Sequence, residues 1–201
     1  MSEPVALFAA RPGPRCREPR TSQVVLVDPQ GRPCGVADED AVLGPVTPRH
    51  LGFSCYAFDP AGRVLVTQRS RRRRAFPLAR TNTCSGHPAP GESLQDAVRR
   101  RLRYELGVPP VDLRVVLPDF SYRASAAGVE ENELCPVLLC RIEDVPLARP
   151  DEVESWQWWS WQDLQAEASA PGSALSPWCR LQIPLLAASG QVELSLGAAF
   201  L

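Results

Sequence analysis

Apolar residues occur along the chain in short runs of strand length, broken by turn residues, with one long stretch of helical period. Gln23-Val24-Val25-Leu26-Val27 predicts a strand, and Asp28-Pro29-Gln30-Gly31 predicts the turn of a hairpin. A polar connection follows, then a strand from about His50 to Phe58. Asp59-Pro60-Ala61-Gly62 turns this strand into a second one over Arg63–Arg69. Ser70 to Thr83 reads as a loop with a basic entry, Arg71-Arg72-Arg73-Arg74, and the loop character continues through Cys84-Ser85-Gly86-His87-Pro88. Ser93 to Leu106 carries the clearest helical pattern, with Ser93 as N-cap, Asp96 three residues on, and Gly107 and Pro109 to stop it. Further strands are expected near Leu113–Leu117, Leu134–Ile142 and Val153–Trp159, and helices over Trp161–Ser169 and Pro177–Ala188. This order predicts a single α+β domain, a mixed β-sheet with helices packed on it. The Pro- and Arg-rich residues 1–20 predict a mobile N-terminal arm ahead of a domain spanning 21–201.

Composition narrows the classes. The chain has 201 residues, 44% hydrophobic and 22% charged, which fits one packed domain. A formal net charge of −1 argues against a nucleic-acid-binding surface. No apolar run approaches the roughly 18 residues of a membrane span, and residues 1–20 lack the apolar core of a secretory signal. The chain contains no lysine, so all 22 of its basic residues are arginine; any phosphate clamp must be built from guanidinium groups. The seven cysteines form no C-x-x-C pair and sit mostly in apolar runs, so reduced thiols and a cytoplasmic setting are expected. The sequence names no protein partner.

Candidate chemistry begins with charge on the wrong face. At about 100° per residue, Leu94, Val98 and Leu102 share one sector of the helix; Glu105 projects into its middle and Arg101 borders it. A carboxylate there is costly unless paired or bound to a cation. Either an Arg101–Glu105 pair at i,i+4 or a cation ligand facing a cleft satisfies the pattern. Cys84-Ser85-Gly86-His87 gathers a thiol, a hydroxyl and an imidazole just before the helix. In Glu131-Asn132-Glu133, period-2 geometry puts both carboxylates on one side. His50 and His87 are the chain's two histidines, and with Glu131 and Glu133 they would suit a divalent cation. Spacing alone does not show that they converge.

Several segments together carry a family resemblance. Gly86-x5-Glu92-x7-Arg100-Arg101-Leu102-Arg103-Tyr104-Glu105-Leu106-Gly107-Val108 resembles a degenerate Nudix box in which Arg101 and Tyr104 take two of the acidic places, a departure that speaks against a standard pyrophosphohydrolase. Thr81-Asn82-Thr83-Cys84-Ser85-Gly86-His87-Pro88, Tyr122-Arg123-Ala124, Glu131-Asn132-Glu133-x-Cys135-Pro136 and Ser176-Pro177-Trp178 extend the likeness from about Val24 to Leu181. Taken together, the chain resembles the type I isopentenyl diphosphate isomerases. That resemblance implies a divalent metal, Mg²⁺ or alternatively Mn²⁺, among His50, His87, Glu131 and Glu133, with Leu43 in the place of one further histidine. It implies a role for Glu105 in holding Mg²⁺ with the substrate diphosphate, and for Arg69 and Arg73 in binding the diphosphate itself.

By the same resemblance, Glu133 helped by Tyr122 protonates an alkene, a cysteine works on the opposite face, and the π-face of Trp178 stabilises the cation. The cysteine's position is Ser85 here, and Cys84 lies one residue earlier. Trp156, Trp158, Trp159 and Trp161 are expected to pack in strands and core. Three functions stay open on this reading. The first is interconversion of isopentenyl and dimethylallyl diphosphates. The second is isomerisation or cyclisation of a longer prenyl diphosphate started by Glu133, as in a terpene cyclase. The third is a catalytically silent prenyl diphosphate binder.

Overall fold

A computed structural model describes residues 8–9 and 23–197. The arm expected over 1–20 lies outside the described residues except for β1 (Phe8–Ala9), which pairs antiparallel with β13 (Val153–Trp159). In chain order the elements are β2 (Gln23–Val27), β3 (Pro33–Asp38), α1 (Glu39–Val42), β4 (His50–Leu51), β5 (Phe53–Phe58), β6 (Val64–Arg69), β7 (Arg80–Thr81) and β8 (Cys84–Gly86). They continue with α2 (Leu94–Leu106), β9 (Val111–Leu117), β10 (Ser121–Ala126), β11 (Val129–Leu134), β12 (Val137–Arg141), β13 (Val153–Trp159), α3 (Trp161–Ser169), α4 (Pro177–Ser189) and α5 (Gln191–Gly197).

The α+β architecture is the expected one, and its strands divide into two sheets. One runs β1-β13-β6-β5-β12-β9, with β7 on β6 and β8 on β5; the other runs β10-β11-β4-β2-β3. Two runs expected to be single strands are each cut in two. The first breaks at Gly52 and the second at Cys135-Pro136, because Pro136 has no N–H to give a ladder. On one side of the breaks β4 and β11 pair in parallel, with His50 opposite Glu133. On the other side β5 and β12 pair in parallel, with Ser54 opposite Val137. The bonds Gly52 N to Leu134 O (2.8 Å) and Ser54 N to Pro136 O (3.0 Å) carry the pairing across the gap. Both strands therefore leave one sheet and join the other at the same point.

Beyond the break, β5 is buried on both faces. Phe53, Cys55 and Ala57 pack with Ala97, Val98, Leu102 and Leu106 of α2; Tyr56 and Phe58 pack with Cys179, Ile183 and Leu186 of α4. Burying such a side chain stabilises by about 1.5–3 kcal/mol. α2 starts where Ser93 Oγ accepts from Asp96 N (3.1 Å) and ends at Gly107 in the left-handed region (φ 69°). Trp156 and Trp161 are buried, as expected of core aromatics. Six cysteines are free thiols among the described residues, and Cys55, Cys84 and Cys140 pack as small apolar groups beneath α2.

Other expectations needed correction. The loop over Ser70–Thr83 contains β7, and the loop containing Ser85 is strand β8, since both find partners on the eight-stranded sheet. β10, the start of β11, and the short α1 and α5 lie in segments that read as connections. In β11 the burial alternates, so that Val129, Glu131 and Glu133 all face inward.

Candidate active site

The strand crossover gathers the four side chains that spacing could not bring together. His50 and Glu133 sit opposite each other on β4 and β11; Glu131 is one pleat earlier, and His87 follows β8. Ligand atoms from all four lie within 4.8 Å of one another. His50 Nε2 faces His87 Nε2 at 3.3 Å, and Glu133 Oε1 lies 3.3 Å from His87 Nε2 and 3.8 Å from His50 Nε2. Outside this knot His50 Nδ1 donates to Pro48 O (3.0 Å).

The group's electrostatics are strained in a way that a cation relieves. Burial disfavours a charged His87, yet its hydrogen bonds to Glu133 and Glu39 outweigh that and push its pKa up to about 10. Burial raises Glu133 as well, but the His87 hydrogen bond prevails and holds it below the ordinary carboxyl range. Burial, reinforced by Glu133, lifts Glu131 to about 7. Glu131 Oε2 is buried with no hydrogen-bond partner among the described residues. Two inward-turned imidazole nitrogens and two carboxylates, one with an unused oxygen, form a donor set that fits a divalent cation.

Glu105 lies outside this group of four. It is buried and pairs with Arg101 (Nη2 to Oε1, 2.5 Å), the i,i+4 contact that the helical spacing allowed. Arg101 also donates to Glu152 Oε2 (3.0 Å), and Arg73 donates to the same oxygen at 2.6 Å. One carboxylate thus brackets two guanidinium groups from different elements. They line a cavity of about 480 Å³ shared with Arg69, His87, Glu131 and Glu152. Arg69 gives two bonds to Ala75 O (3.1 and 2.9 Å) and lies 5.4 Å from the centre of the Trp178 ring. Burial lowers its pKa only to about 10, so it stays a cation at neutral pH. The neighbouring Arg71 and Arg72 pair with Glu154 and Asp151. Arg100 joins Glu92 (2.7 Å) and also donates to His87 O (3.1 Å), which ties the Nudix-like pattern to the histidine's backbone.

Ser85 belongs to a separate polar cluster. Its Oγ donates to Asn82 Oδ1 (3.1 Å) and accepts from Asn82 Nδ2 (3.0 Å). Trp178 Nε1 donates to the same Oδ1 at 2.9 Å. The Trp178 ring lies 5.6 Å from that of Tyr122, which sits opposite Glu133 in the β10–β11 ladder. Ser85 is thereby linked through Asn82 to the aromatic floor that ends at Glu133. Cys84 points the other way, into the core beneath α2, and burial drives its thiol well up. Leu43, at the end of α1, lines the arginine-rich cavity.

The NUDIX domain family matches residues 48–179, a span that contains all four clustered side chains, Arg69, Arg73 and Trp178. An isopentenyl-diphosphate Delta-isomerase from Mycolicibacterium vanbaalenii is 55% identical over 83% of this chain and 92% of its own length. Another from Frankia alni is 48% identical over 88% of this chain and 90% of its own. The chain belongs to the isopentenyl-diphosphate Delta-isomerase family, within the Nudix proteins. Solved structures share its fold at lower identity. A protein from Deinococcus radiodurans superposes with a TM-score of 0.63 at 20% identity, covering 81% of this chain and 98% of its own. A MutT NUDIX hydrolase from Burkholderia pseudomallei gives 0.52 at 21% identity, covering 68% and 96%. Among the described residues of this isomerase-family member, no helix is long and apolar enough to cross a membrane.

Sequence reasoning alone passed over several residues around this site. Asn82 lies within the Thr81–Pro88 segment, where the sequence assigns it no role. Glu152 and Glu39 had no signal in spacing. Gly52 carries a signal in the sequence, as a glycine inside an apolar strand. A Cβ there would meet Glu133 Oε2 at 2.1 Å, so the bare backbone leaves the space that this carboxylate occupies.

Proposed function

We propose that the protein interconverts isopentenyl and dimethylallyl diphosphates by protonating and deprotonating the alkene. The observation that carries this reading is the position of Glu133, hydrogen-bonded to His87, opposite Tyr122 on the ladder, and beside an arginine-lined cavity. Arg69 and Arg73 bind the diphosphate, which suits guanidinium geometry, and Arg101 completes the basic wall. Glu133 in its protonated form, with Tyr122 beside it, can pass its proton to the terminal CH₂ of the substrate, giving a methyl group and a tertiary cation. The Trp178 face stabilises that cation. Loss of a proton from the carbon on the diphosphate side then forms the internal double bond, so one proton enters and one leaves. Ser85, or a water it holds, stands in the place of the base on that second face. His50, His87, Glu131 and Glu133 would hold Mg²⁺, or Mn²⁺, which supplies positive charge to keep the two carboxylates together. Glu105 contributes to a second Mg²⁺ bound with the diphosphate.

Incubation with C5, C10, C15 and C20 diphosphates and Mg²⁺, followed by mass spectrometry and chromatography of the products, tests the reading. Conversion of isopentenyl to dimethylallyl diphosphate supports it. A product from a longer chain alone overturns it in favour of a diverged enzyme, and no turnover of any of them leaves a silent binder.

Calorimetric titration with isopentenyl diphosphate should show tighter binding with Mg²⁺ than with EDTA, and equal affinity in both would sink the metal bridge to the diphosphate. The inner centre, lacking an imidazole at position 43, should be weakly occupied, so protein prepared without added metal should carry little; stoichiometric zinc would contradict this. Leu43→His should tighten Mn²⁺ binding by roughly tenfold, about 1.4 kcal/mol, and an unchanged Kd would show that position 43 does not reach the ion.

A further inference from the structure

α1 is one helical turn, opened by Asp38, whose side chain accepts from Asp40 N. Its first residue, Glu39, and Leu43 at its end are four apart, the spacing that puts two side chains on one side of a helix. Both line the arginine-rich cavity. Glu39 Oε1 lies 3.2 Å from His87 Nδ1. The two clustered imidazoles are thus oriented alike. His50 turns Nδ1 out to a backbone carbonyl, His87 turns Nδ1 out to Glu39, and the Nε2 atoms meet inside, 3.3 Å apart.

The two rings are not anchored equally. His50 is fully buried within β4, on the ladder with β11. His87 stands beyond the end of β8 in the Gly86-His87-Pro88 turn, and its side chain is 15% exposed. Arg100 fixes its carbonyl but not its ring. A ring in that position needs an acceptor at Nδ1 to choose its tautomer, and ligating histidines ordinarily have one.

We propose that Glu39 is a positioning residue for the metal centre: by accepting from His87 Nδ1–H it fixes the tautomer and ring angle that present Nε2 to the cation. The assignment rests on the metal centre proposed above. α1 thereby supports the centre from outside through its first residue, while Leu43 adds no ligand.

The test uses the full chain freed of metal. Mn²⁺ affinity is read by calorimetry and electron paramagnetic resonance for wild type, Glu39→Gln and Glu39→Ala, with circular dichroism melts to show that each is folded. The His87 ring nitrogens are read by ¹⁵N NMR in the Mg²⁺-loaded state. Loss of such an outer partner typically costs 10- to 100-fold in metal affinity, so Glu39→Ala should weaken Mn²⁺ binding by at least about tenfold and let His87 populate both tautomers. Glu39→Gln keeps an acceptor oxygen in the same place; it should hold the Nδ1–H tautomer and lie closer to wild type. Equal Mn²⁺ affinity in wild type and Glu39→Ala overturns the positioning role and leaves the metal centre standing. Weakened affinity with an unchanged His87 tautomer also overturns it, since Glu39 would then be a ligand itself. A wild-type chain that takes up neither Mn²⁺ nor Mg²⁺ overturns the centre and this assignment together.

Discussion

Glu133→Gln is expected to lower isopentenyl diphosphate isomerisation by roughly 10³-fold or more. A well-placed proton donor alone contributes about 10²–10⁴-fold, and on the proposed reading the substitution removes a metal ligand as well. The fold should survive, because glutamine has the shape of glutamate and can occupy the space that Gly52 leaves open beside the carboxylate. Glu131→Gln provides the contrast. On the proposed reading it too removes a ligand, and with it the carboxylate whose Oε2 has no partner among the described residues, but it leaves the Glu133 carboxyl in place. Its loss of activity should therefore be partly restored by raising Mg²⁺, whereas that of Glu133→Gln should not. Turnover of labelled substrate across a Mg²⁺ series, with thermal melts of both variants, measures this. A Glu133→Gln enzyme within tenfold of wild type would remove Glu133 from the chemistry.

The parts of the fold that were legible in the sequence are those whose pattern has a single cause. Leu94–Leu106 carries its own cap, period and stop; Val153–Trp159 and Trp161–Ser169 have the bounds that their pattern suggested. What stayed hidden was a change of partner inside an unbroken pattern. His50–Phe58 reads as one strand because Gly52 interrupts the hydrogen-bond ladder without interrupting the apolar run, and Cys135-Pro136 does the same on its neighbour. β10 was hidden for a different reason. Its inward positions Tyr122, Ala124 and Ala126 alternate with Ser121, Arg123 and Ser125, too weak a contrast to announce a strand.

The site divides along the same line. The misplaced charge of Glu105 was visible, and so was the i,i+4 partner that holds it. The two inward carboxylates of β11 followed from period-2 geometry. Convergence with His50 and His87 was not derivable from spacing, because it depends on the crossover that places β4 beside β11 and carries β8 past its end. Glu39 left no trace at all. It lies 48 positions from His87 in a polar connector, and only the single turn of α1 carries it to the imidazole.

Ser85→Cys is expected to raise isopentenyl-to-dimethylallyl turnover by at least about tenfold, a lowering of the barrier by about 1.4 kcal/mol. A hydroxyl does not ionise in the neutral range, whereas a thiol does so near 8.5, so the variant supplies an acid–base group on the face opposite Glu133. The surroundings favour it. Asn82 Oδ1 already accepts from Trp178 Nε1 and Thr81 Oγ1, while Asn82 Nδ2 donates at 3.0 Å to Oγ of residue 85 and can do the same for a thiolate. Cys84 cannot take this part from one residue away: it packs beneath α2, and burial holds its thiol well above the ordinary range. In the Ser85→Cys background, Glu133→Gln should abolish the gain, because neither proton transfer then has its partner on the other face. Turnover of labelled isopentenyl diphosphate by wild type, Ser85→Cys and the double variant decides the matter. If the cleft has been rebuilt around a longer hydrocarbon, the thiol adds little C5 activity, and no gain alongside a proven long-chain product rules out the C5 isomerase.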